Sequence, residues 1–98
     1  MPTTSGSGAE VTPNAVMYIN KIKYTVDKKI ILPDKYFLIP KLTFSASKRV
    51  KASSGFDAIA QSIESLISVK SSKLSVNFAK KSLQLSLKSY VNFVNRPN

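Results

Sequence analysis

Apolar positions change their spacing near residue 44, and the two halves of the chain predict different elements. Val11 to Asn20 is largely apolar, with Val16, Met17, Tyr18 and Ile19 in a row. After Asn20-Lys21, the residues Ile22, Tyr24 and Val26 alternate with Lys23 and Thr25. Period-two alternation on either side of a two-residue break predicts two strands across a tight turn, although Asn-Lys is a weaker turn signal than Asn-Gly. Leu32-Pro33-Asp34 marks a further turn. Tyr36-Phe37-Leu38-Ile39 is a short apolar run ended by Pro40, which suits a buried strand.

Beyond Pro40 the period lengthens. Thr43 or Ser45 suits the cap of a short helix through Lys48 to Ser53. Apolar residues at 56, 59, 60, 63, 66 and 67 are spaced for a second helix over residues 56–69. Ser54 fits as its N-cap, and Asp57 near its start suits the helix dipole. Lys70 to Lys73 is a polar break. The last segment carries two patterns. Val76, Ala79, Leu83, Leu87, Tyr90, Val91 and Val94 share a helical face, while Leu83, Leu85 and Leu87 alternate with polar residues as in a strand. Its length without Gly or Pro favours a helix. The fold class expected is therefore α+β, a β-rich first part and a helical second. This describes either one small domain or a slice across a domain boundary.

Composition narrows the classes. The chain has 98 residues, 43% of them hydrophobic, and no apolar run of the roughly 18 to 20 residues that a membrane helix needs. Nothing near Met1 reads as a signal peptide. There is no cysteine, so neither a disulfide framework nor a thiolate metal site is available, and a cytoplasmic location is the expectation. The absence of histidine removes imidazole acid–base chemistry and the commonest transition-metal ligand. The formal charge of +10 can attract phosphate. The basic residues are scattered, however, and Arg is scarce among them, whereas nucleic-acid readout favours clustered Arg forks. Nucleic acid is not an expected partner.

Two constellations carry candidate chemistry. Pro2-Thr3-Thr4-Ser5-Gly6-Ser7-Gly8-Ala9-Glu10-Val11-Thr12 offers hydroxyls and Gly-exposed amides of the kind that contact a phosphate or ribose, though a flexible terminus has the same composition. In Gly55-Phe56-Asp57-Ala58-Ile59-Ala60-Gln61-Ser62-Ile63-Glu64-Ser65, Asp57 and Gln61 stand at i and i+4 on one helix face. Such a pair can hold a cation or order a water. It is also what a solvated helix face looks like.

In this order the two constellations resemble the iron-type (group III) alcohol dehydrogenase family. That family carries PTTxGTGSEVT in its nucleotide-binding domain and GxDAxxHAIE at the start of its all-helical domain; here they read PTTSGSGAEVT and SGFDAIAQSIES. Between them, the apolar stretch Ala15 to Ile19, the Lys23-Tyr24 pair and Pro40-Lys41-Leu42-Thr43 are colinear with the family. The resemblance implies the end of an α/β nucleotide-binding domain (a β-hairpin and a short strand) over residues 1–44, and the first helices of an all-helical metal-binding domain over 45–98. It implies NAD or NADP, a divalent metal (iron or zinc), a small alcohol or aldehyde as substrate, and a homo-oligomer at full length. No membrane is involved. Thr3, Thr4 and Ser7 would contact the cofactor. Thr12, Asn14 and Val16 would line the same cleft, and Lys23 would lie near the nucleotide. Asp57 matches the first metal ligand.

Two departures qualify the match. Gln61 stands where the family usually has a histidine ligand, and an amide oxygen is a poor ligand for iron or zinc. Either the metal site is altered or the metal is lost. The family's glycine-rich dinucleotide turn and its remaining histidine ligands have no counterpart here, so the chain is expected to be an internal fragment, inactive alone. The rival readings are a small basic module that binds nucleic acid or another acidic partner, and a decayed reading frame.

Overall fold

The computed structural model describes residues 1–97, which form two compact units. One comprises residues 1–2 and 8–39. The other comprises residues 3–7 and, among the described residues, 40–97.

The first unit is built on a hairpin of β1 (Asn14–Ile19) and β2 (Ile22–Asp27), antiparallel, with Asn14 opposite Asp27 and Ile19 opposite Ile22. Asn20 and Lys21 make the turn, both with positive φ (50° and 65°). Left-handed backbone at both central positions is the turn whose twist matches paired strands, and Asn tolerates it better than most residues. Lys28 extends the ladder by donating its amide to the Pro13 carbonyl at 3.0 Å. Because side chains alternate, the register sorts the hairpin into two faces. Ala15, Met17 and Ile19 share one face with Ile22, Tyr24 and Val26. Asn14, Val16 and Tyr18 share the other with Lys23, Thr25 and Asp27. The first face is wholly apolar, yet no residue of this unit is buried. A 3₁₀ turn, Lys29–Ile31, follows.

The expected buried strand at Tyr36-Phe37-Leu38-Ile39 does not form. The segment belongs to no strand among the described residues, and all four side chains are exposed. A strand needs a neighbour, and the only sheet among the described residues is the two-stranded hairpin.

The second unit is a helical hairpin entered through a 3₁₀ turn, Pro40–Thr43. Helix α1 (Lys48–Ile67) and helix α2 (Lys73–Asn95) run antiparallel, as contacts from Lys51 to Arg96 and from Ser62 to Ser82 require. The two helices expected over 48–53 and 56–69 are one. Ser47, not Ser54, is the cap, its hydroxyl accepting from the Val50 amide at 3.3 Å. Ser54 lies inside the helix and donates to the Lys51 carbonyl. The ambiguous last segment is helical throughout. It opens on a capping box in which Ser72 and Ser75 each satisfy the other's amide.

Gly55 sits against α2. A Cβ there would lie 2.9 Å from the Tyr90 ring. The Tyr90 hydroxyl donates to the Ala52 carbonyl at 3.2 Å, and the hydroxyls of Ser62 and Ser82 meet at 2.8 Å. Lys51, only 2% exposed, donates its ammonium to the Arg96 carbonyl at 3.1 Å. The Arg96 guanidinium in turn stacks 3.9 Å over the Phe44 ring, a cation–π contact. Among the described residues, Ile59 and Ala79 are the fully buried apolar side chains. Small and polar groups thus contribute to the interface between the helices.

Candidate functional site

The hydroxyl-bearing loop and the Asp57 helix come together within the second unit. Gly6, at φ +106°, lies so close to α1 that a Cβ on it would overlap the Ser54 carbonyl and stand 3.3 Å from the Ala58 Cβ. Only glycine combines that backbone angle with that approach. Ser54, Ala58 and Gln61 follow each other at helical spacing, so the loop sits on the α1 stripe that continues to Gln61 and borders Asp57. Thr3, Thr4 and Ser7 belong to this loop and are exposed.

Asp57 and Gln61 are also exposed. The Gln61 side-chain amide donates to Asp57 Oδ2 at 2.7 Å, a short bond onto a carboxylate. Among the described residues no group of three His, Cys, Asp or Glu side chains could hold a metal. The donors at this position are a single carboxylate already engaged by an amide, which does not fit iron or zinc.

The remaining expected site residues lie in the first unit. Asn14, Val16 and Lys23 share the more polar face of the hairpin, opposite the apolar one. Thr12 lies just before β1, its hydroxyl donating to the Ala9 carbonyl at 3.3 Å. A cavity of about 250 Å³ occurs elsewhere, lined by Lys48, Lys51, Val94, Asn95, Arg96 and Pro97. It contains none of the expected site residues. The close approach of Gly6 to Ser54 and Ala58 was not read from the sequence; two small residues at i and i+4 on a helix were the available signal.

Curated relatives cover most of this chain. It is 36% identical over 89 residues to long-chain-alcohol dehydrogenase 1 of Geobacillus thermodenitrificans, a match covering 91% of this chain and 22% of that protein. It is 33% identical over 87 residues to the 1-propanol dehydrogenase PduQ of Citrobacter freundii, covering 87% of this chain and 24% of the relative. It is 35% identical over 91 residues to the bifunctional aldehyde-alcohol dehydrogenase AdhE of Escherichia coli, covering 91% of this chain and 10% of that one. These matches are those of a fragment of the iron-type alcohol dehydrogenase family. The chain spans less than a quarter of the length of these relatives. No protein-family model matches the segment, and no solved structure matches it. Among the described residues no helix is long and apolar enough to cross a membrane.

Proposed function

We propose that the chain is part of an NAD(P)-linked dehydrogenase or reductase of small alcohols and aldehydes, and that it does not turn over substrate alone. The observation that carries this reading is the seating of Gly6 against Ser54 and Ala58, in the loop that holds Thr3, Thr4 and Ser7. The kinship with curated alcohol dehydrogenases supports it.

On this reading the loop holds the dinucleotide. Its threonine and serine hydroxyls donate to phosphate or ribose oxygens, and its glycines let the backbone approach them. On one hairpin face Lys23 supplies a positive charge suited to phosphates, with Asn14 and Val16 beside it, and Thr12 adds a hydroxyl before β1. The bound dinucleotide supplies the hydride chemistry. Residues 1–44 are the end of the nucleotide domain, and residues from 45 open the helical domain. The metal that the family resemblance implies is not matched by the donors around Asp57.

The test is the DNA on either side. Codons in frame for a Gly-rich βαβ unit upstream and for a His-bearing helix downstream are expected, and the continuous product should oxidise alcohols with NAD or NADP. Genuine start, stop and ribosome-binding signals closely bracketing this chain would defeat the reading.

A further inference from the structure

Protein sites for iron and zinc draw on imidazole nitrogen and thiolate sulfur, with carboxylates completing the set. This chain has no histidine and no cysteine. At Asp57 the nearest side-chain partner is the Gln61 amide, donating to Oδ2 at 2.7 Å. An amide nitrogen is a donor with no lone pair for a metal. A cation arriving at Oδ2 must therefore break a charge-assisted bond. Turning the amide to present its oxygen loses that bond and offers only a neutral, hard ligand in exchange.

We infer that Asp57 and Gln61 form a metal-free clasp: at this turn of α1 the chain does not take iron or zinc, and the Gln61 amide holds the carboxylate instead. The dehydrogenase reading gives the position its meaning, but the claim concerns only these two side chains. Both are exposed on a helix whose contacts with α2 lie on another face, so either can be replaced without disturbing the fold.

The experiment titrates zinc by calorimetry and cobalt(II) by visible absorption into the 98-residue chain. Three variants accompany it: Gln61→His, Asp57→Asn, and the two combined. Circular dichroism confirms equal helix content throughout. The unaltered chain should show no saturable binding at submillimolar metal. Gln61→His should bind roughly tenfold or more tightly, since it places an imidazole one turn from a freed carboxylate, and adding Asp57→Asn should abolish the gain. Saturable binding by the unaltered chain that Asp57→Asn removes would overturn the inference. So would a Gln61→His chain that gains nothing, because Gln61 would then not be what keeps the metal away. None of these outcomes bears on the flanking reading frame, so failure here and failure of the dehydrogenase reading are distinguishable.

Discussion

Single residues decide how the candidate loop is held. Gly6 has a left-handed φ of +106° and no room for a Cβ against Ser54. Gly6→Ala combines backbone strain with a clash against main-chain atoms, and should weaken the seating of the loop by about 1–3 kcal/mol. Faster hydrogen exchange and readier proteolysis at residues 3–7, with α1 and α2 still helical, are the expected readouts. Gly55 is a different case. Its backbone is ordinary helix, where glycine costs about 1 kcal/mol relative to alanine, and what it provides is space for the Tyr90 ring. Gly55→Leu should push the helices apart and lower the urea midpoint by the equivalent of about 1–3 kcal/mol. The sequence made Asp57 and Gln61 legible as neighbours, because i and i+4 positions meet on any helix. It did not show that the amide would engage the carboxylate. Nor did it show that Gly6 would rest on Ser54, since long-range contacts leave no periodic trace.

At the scale of elements, local chemistry was read well where it acts alone and poorly where it competes. The hairpin was legible because its alternation and its two-residue break agree. Lys21 adopts φ 65° without being glycine or asparagine. Lys21→Gly should therefore stabilise the hairpin by up to about 1 kcal/mol, seen as slower amide exchange across the pairs from Asn14–Asp27 to Ile19–Ile22. The ambiguous last segment resolved as a helix because its apolar face meets α1, an outcome that alternation over five residues could not outweigh. Ser72→Ala removes one half of the capping box and should cost about 1 kcal/mol, fraying the first turn of α2 in circular dichroism and exchange. The split expected at Ser53-Ser54-Gly55 came from reading Ser54 as a cap. The residues before it are already helical, capped by Ser47, so the hydroxyl turns back to the Lys51 carbonyl. The run Tyr36 to Ile39 has the composition of a buried strand but no sheet to enter, and composition alone cannot supply the partner.

For the whole molecule the decisive quantity is how little apolar surface the described residues bury. Ile30 is 90% exposed, Ile67 77% and Phe78 66%, while Ile59 and Ala79 alone are buried among the described apolar side chains. A chain this size ordinarily hides most of its large apolar groups, and a lone two-stranded hairpin is marginal in water. The purified 98-mer should bind a hydrophobic dye and sediment with a concentration-dependent mass, and added NAD(P) with alcohol and metal should give no turnover. A monodisperse monomer that resists dye binding would contradict this. The chain passes between its two compact units three times, at Pro2–Thr3, Ser7–Gly8 and Ile39–Pro40. Thr3, Thr4 and Ser7 therefore belong to the unit that holds Asp57 and not to that of the strands that follow them in sequence. The seat of Gly6 on Ser54 and Ala58 thus anchors the hydroxyl-bearing loop to the same helix that carries Asp57.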